Sequence, residues 1–94
     1  MRQLGVKELR KIAKAVGIDL ENYPIGLFKK AILIELEHGR RNAATNITDD
    51  DLTKTGMIVM AHLMEIPDYY ERLIKMEAEA KEYWKRHDRP RFYL

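Results

Sequence analysis

Apolar side chains recur at helical spacing through most of this chain, and the pattern predicts an all-α fold of four helices. Leu9, Ile12, Ala13 and Val16 mark the first helix, and Gly17 stands where a C-terminal cap belongs. Asp19 to Pro24 reads as a connector, because Pro24 prevents a helix from running through it. A second helix should begin near Ile25 or Gly26 and reach His38, with Gly39 as its stop. Residues 39–48 read as a loop, polar and without an apolar period. Thr48 and Asp51 have the spacing of a capping box, opening a third helix that ends at Glu65 or Ile66, just before Pro67. Asp68 and Glu71 repeat the box ahead of a fourth helix from Tyr69 to about Arg86. Residues 87–94 are expected to form a tail whose Phe92, Tyr93 and Leu94 fold back onto the body.

Wheel placement separates the faces of these helices. In the fourth, Tyr69, Leu73, Met76, Ala80, Tyr83, Trp84 and His87 form one stripe, read as plain core, while Tyr70 falls to one side and is expected to be half exposed. The third helix is apolar around most of its circumference through Met57, Val59, Met60, Ala61, Leu63, Met64 and Ile66, so it should be the central, mostly buried element of a compact domain. Its polar strip holds Lys54, Thr55, His62 and Glu65. In the second helix Phe28, Ala31, Ile32 and Leu36 define the apolar face, and Glu35 falls near its middle. A carboxylate there is costly to bury alone, so it calls for a cation, a hydrogen-bonded partner or a metal.

Composition narrows the setting. Ninety-four residues suffice for a single domain spanning 1–94. A hydrophobic share of 46% with 34% charged residues argues against disorder. The absence of cysteine excludes disulfides, thiolate metal sites and cysteine nucleophiles. No apolar run approaches the roughly 20 residues that cross a bilayer, so no membrane role is expected, and the lack of a signal peptide points to the cytoplasm. A formal net charge of +2 does not by itself imply a nucleic-acid or membrane partner, although residues 1–41 carry nine Lys and Arg against five Asp and Glu. Lys7, Arg10, Lys11, Lys14, Lys29 and Lys30 are the candidate phosphate contacts, with a solvated basic face as the plainer account.

The candidate chemistry lies in two carboxylate–imidazole pairs three residues apart, Glu35 with His38 and His62 with Glu65, each on one helical face. Two histidines and two carboxylates suit a divalent metal such as zinc, iron or manganese. Straight antiparallel helices would hold the pairs roughly 20 Å or more apart at 1.5 Å per residue, so a four-ligand site needs splayed helices or a second subunit. Without a metal, Glu35 accepts from His62, Arg72 or a tyrosine hydroxyl, with Tyr69 placed to reach a buried carboxylate, and His38 caps the second helix. Thr48, Asp51, Asp68 and Glu71 are most economically helix caps. There is no Gly-rich phosphate loop, no Ser-His-Asp grouping and no zincin helix, so no catalytic residue is assigned and enzymatic activity gains little support.

At these residues the chain resembles an uncharacterised family of short proteins from bacteria, archaea, phages and large DNA viruses. The likeness rests on Glu35-Leu36-Glu37-His38-Gly39, Thr45-Asn46-Ile47-Thr48-Asp49-Asp50 and the stretch from Gly56 to Ile58. It continues from Ala61-His62-Leu63-Met64-Glu65 through Ile66-Pro67-Asp68-Tyr69-Tyr70-Glu71-Arg72-Leu73 and covers about residues 17–84. The resemblance implies a shared motif containing Glu35, Glu37, His38, His62, Glu65, Asp68 and Tyr69, a phage or mobile-element setting, and no assigned activity. A second resemblance, to a SAP-type DNA-binding helix–loop–helix, touches residues 4–36, where the connector from Gly17 to Lys29 is several residues longer than that pattern. The expectation is therefore a small binding or interaction module, meeting a protein partner or a second copy of itself. Its locus would be the cluster of Glu35, His38, His62, Glu65 and Tyr69. A metal-binding helical protein, completed in a dimer, and a DNA-binding accessory protein using the basic first half are the alternatives.

Overall fold

A computed structural model describes residues 4–41 and 51–88 and shows four α-helices among them. They are α1 (Val6–Val16), α2 (Ile25–Arg41), α3 (Leu52–Glu65) and α4 (Tyr69–Trp84). α1 ends where Gly17 takes a left-handed φ of 84°, which lets Gly17 and Ile18 both return their amides to the Ala13 carbonyl. Leu9, Ile12 and Ala13 are buried on one side of α1, and the Ile18 side chain closes over that end. Asp19 organises the connector by accepting the Glu21 amide and the Asn22 side-chain amide, both at 2.9 Å.

α2 carries the densest part of the core through Phe28, Ala31, Ile32 and Leu36. It does not stop at Gly39 but continues to Arg41. A glycine inside a helix costs only about 1 kcal/mol relative to alanine, which is too little to end a helix whose neighbours propagate it. The rest of the expected loop, with Thr48, falls in residues 42–50, outside the described residues, as does the end of the tail at residues 89–94.

α3 holds the central place, packing against α1, α2 and α4. Asp51 is its N-cap: the carboxylate accepts the Lys54 amide at 2.9 Å, so Asp51 stands one residue before the helix rather than inside its first turn. Thr55, the buried polar side chain of this helix, donates to the Asp51 carbonyl at 2.7 Å. Gly56 lets α3 come close to α1, since a methyl group there would lie 2.7 Å from Ile12 Cγ2. The inner face runs through Val59 to the partly buried Leu63, whereas Met57 and Met64 are 59% and 76% exposed. The apolar circumference of α3 is thus buried on its inner side only.

α4 departs further from its sequence pattern. Its one fully buried residue is Tyr70, at 2% exposure, and not the stripe from Leu73 to His87. Met76 and Tyr83 are more than half exposed, and His87 is exposed with its ring stacked on Tyr83 at 4.0 Å. The helix rests on the body through its first turns, where Tyr69 and Leu73 pack partly buried against the core, and the stripe beyond Leu73 is not part of that contact. Asp68 sits at the N-cap, yet its backbone (φ −98°, ψ 29°) is not the extended form that aims a cap at the helix amides. Its carboxylate pairs instead with Arg72 Nε at 2.8 Å, and Glu71 makes no cap bond among the described residues. No helix among the described residues is long and apolar enough to cross a membrane.

Candidate functional site

Three elements converge on the polar residue that interrupts the α2 core stripe. Glu35 follows Phe28, Ala31 and Ile32 along the buried face of α2, and its side chain is only 8% exposed. His62 reaches it from the last turns of α3, with Nδ1 2.9 Å from Glu35 Oε2. The C-terminal halves of α2 and α3 therefore meet, and the two helices are not the straight antiparallel pair that would separate these residues.

The third contributor depends on the break between α3 and α4. Ile66, constrained by the following Pro67, is extended (φ −158°, ψ 131°) and ends α3 with its amide on the His62 carbonyl at 3.2 Å. After the turn at Pro67 and Asp68, α4 begins with Tyr69 against His62. Tyr70 turns inward and donates its hydroxyl proton to Glu35 Oε2 at 3.0 Å. Tyr69 lies flat on the imidazole, with ring centroids 4.1 Å apart and planes 11° from parallel. The two tyrosine rings meet edge to face at 5.0 Å, which holds both orientations.

Proton accounting fixes the roles. Tyr70 Oη, His62 Nδ1 and Glu35 Oε2 form a triangle with sides of 2.9–3.0 Å. The hydroxyl gives its single proton to Oε2, so His62 Nδ1 must carry a proton as well, and the same carboxylate oxygen accepts both. In the neutral imidazole the free lone pair is then on Nε2, which has no hydrogen-bond partner among the described residues. The Tyr70 phenol is pushed far above its ordinary value of 10.0, first by burial and then by the charge of Glu35 and the hydrogen bond to it. It is a fixed donor, not a source of phenolate. Tyr69 is raised too, by burial and then by Glu35, Glu65 and Glu77.

The arrangement can orient an imidazole and offer its Nε2 to an incoming group. It cannot easily activate a nucleophile of its own: the chain has no serine or cysteine, and the nearby hydroxyl of Tyr70 is committed to Glu35. If His62 were to ligate a metal, Nε2 would be the donor and Glu35 the orienting carboxylate behind it. Among the described residues no group of three or more His, Cys, Asp or Glu side chains is placed to hold a metal ion.

Of the cluster expected from sequence, the structure brings Glu35, His62 and Tyr69 together. Glu65 is exposed, and it reaches the group only through its charge on Tyr69. The His38 side chain lies outside the described residues. Arg72 is engaged by Asp68, with Nε 2.8 Å from its carboxylate. Tyr70 is the residue that sequence reasoning missed. A usable signal was present, because a helix starting right after Ile66-Pro67 must pack by its first turn, where Tyr70 stands.

The basic candidates lie elsewhere. Lys7, Arg10, Lys11 and Lys14 are exposed on α1, as are Lys29 and Lys30 on α2. Arg10 and Lys14 border an open groove of about 530 Å³ between α1 and the connector, where Asp19 and Glu21 supply opposite charge. The two carboxylates make this groove a mixed surface rather than a basic one.

No curated protein matches the chain, and no solved structure does. A family match spans residues 9–79, from the first buried leucine of α1 to the exposed part of α4, and so contains every residue of the Glu35–His62–Tyr69–Tyr70 cluster. The chain belongs to the family described as protein of unknown function (DUF5661).

Proposed function

We propose that this protein is a small helical interaction module, and that it meets its partner at the His62–Tyr69 platform braced from behind by Glu35 and Tyr70. The observation that carries this reading is the directed imidazole. Two hydrogen-bonding side chains and a stacked ring fix His62, yet its side chain stays 27% exposed and its second nitrogen is unengaged. Held in this way, the imidazole presents Nε2 in one fixed direction. A partner that supplies a proton donor to Nε2 and an apolar or aromatic surface to Tyr69 completes the arrangement.

Site-specific photo-crosslinking tests the idea. A photoreactive residue at position 65, beside the platform, should give a discrete adduct with a protein other than a second copy of the chain in lysate of the source cells, and that adduct should disappear with His62→Ala. The same residue at position 11, on the far side of α1, should not. Equal labelling from both positions would defeat the proposal.

A second reading, metal binding through His62 Nε2, is supported by the contact between carboxylate and imidazole, an arrangement that orients ligating histidines. Elemental analysis of protein purified without a tag or chelator tests it. Near-stoichiometric zinc, iron or manganese, lost in Glu35→Ala and His62→Ala, would place this reading first.

A further inference from the structure

Among the described residues, the outer face of α3 is exposed. Met57, Ala61 and Met64 line it at spacings of four and three residues, and all three are exposed. These residues lie opposite Val59, the innermost residue of the helix, and away from the strip that carries His62. The centre of this face therefore lies on another side of α3 from the platform proposed above, with Glu65 between the two. Two long, adaptable methionines flanking a small alanine make a surface that another helix can approach closely.

The charges beside this face identify the occupant. Lys54 and Glu65 are both exposed, and neither makes an ion pair among the described residues. They are eleven residues apart, and at 3.6 residues per turn that spacing returns to within about 20° of the same flank. In an antiparallel helix pair related by a two-fold axis, each flank faces its own copy, run in the opposite direction. Lys54 of one copy then stands across from Glu65 of the other, and Glu65 across from Lys54. Pairing Met57 with Met64 instead slides one helix by two residues, about 3 Å, an offset that these long side chains can span, with Ala61 beside the axis. A single docking thus serves both the apolar and the charged positions. We infer that a second copy of this chain docks on the outer face of α3, antiparallel and two-fold symmetric, with Met57, Ala61 and Met64 at its centre and reciprocal Lys54–Glu65 pairs at its edge.

Sedimentation equilibrium of the full chain over a wide concentration range tests this, with circular dichroism confirming that each variant stays helical. The wild type should show a reversible monomer–dimer equilibrium, and Met64→Glu should abolish it. Lys54→Glu and Glu65→Lys each turn two attractive contacts into two repulsive ones, so each should weaken the dimer by roughly tenfold. The double variant K54E/E65K restores opposite charges across the axis and should return the dissociation constant to within about threefold of wild type. A wild-type monomer at every concentration overturns the inference. So does a dimer that ignores Met64→Glu, or a double variant no tighter than its parents, because the interface then lies elsewhere or runs in another direction.

Discussion

Replacing Tyr70 with phenylalanine removes one oxygen from the centre of the α2–α3–α4 contact and leaves the ring in place. That oxygen donates to Glu35 Oε2 at 3.0 Å, and at 2% exposure the residue leaves little room for water to substitute. A hydrogen bond to a charged acceptor contributes about 1.5–3 kcal/mol. Glu35 keeps His62 as a donor, so the carboxylate is not stranded, and an expected loss of about 2 kcal/mol lies in the lower half of that range. Urea denaturation followed by circular dichroism measures it, with the slope unchanged if only the native contact is lost.

The same variant makes a distinct claim at high pH. Burial, then the charge of Glu35 and its hydrogen bond, hold the Tyr70 phenol above 10.0 in the native state, whereas the unfolded chain titrates near that value. The contribution of the group is therefore complete below pH 10.0 and is lost as pH rises beyond it, because the unfolded state releases a proton that the native state keeps. One such group gives a slope of about 1.4 kcal/mol per pH unit. Tyr23 and Tyr69 are raised as well, so the wild type loses stability on more than one account, and Tyr70→Phe should lose it less steeply. A variant as stable as wild type at neutral pH, or one with the same alkaline slope, would refute the reasoning.

Other substitutions probe the parts that position this contact. Glu35→Ala removes the shared acceptor of His62 and Tyr70 and should lower stability by about 2–3 kcal/mol in thermal or urea unfolding, since two hydrogen bonds are lost together. Gly56→Ala should destabilise despite the better helix propensity of alanine. Its methyl would lie 2.7 Å from Ile12 Cγ2 and 3.3 Å from Val16 Cγ1, and overpacking of about 1–3 kcal/mol exceeds a propensity gain of about 1 kcal/mol. Gly17→Ala has open space around it and should cost only the left-handed conformation, about 1 kcal/mol, visible as a lower melting temperature. Asp51→Ala should cost about 1 kcal/mol by exposing the Lys54 amide, and Asp51→Asn should recover most of it.

These outcomes follow from features of unequal visibility in the chain. The end of α1 at Gly17 and the break at Ile66-Pro67 are local, set by backbone sterics that a few residues dictate, and both could be read directly. The overrun of α2 past Gly39 could not, because a penalty of about 1 kcal/mol does not decide against the propagation of a formed helix. The stripe on α4 misled for a different reason. Periodicity shows which side of a helix is apolar but not how much of its length finds a partner. α4 packs through its first turns, just after the break at Ile66, so Tyr70 is buried while Met76 and Tyr83 stay in water. The outer methionines of α3 make the same point, for nothing in their residue type separates a core position from a docking surface. Glu35 was different in kind. An apolar side chain is content with any apolar neighbour, whereas a carboxylate set among Phe28, Ala31 and Ile32 needs donors at defined positions. That requirement singled out a place in the fold where other helices had to bring polar groups, and His62 and Tyr70 are the groups that arrive. The misplaced charge was a better guide to the tertiary contact than the apolar stripes around it.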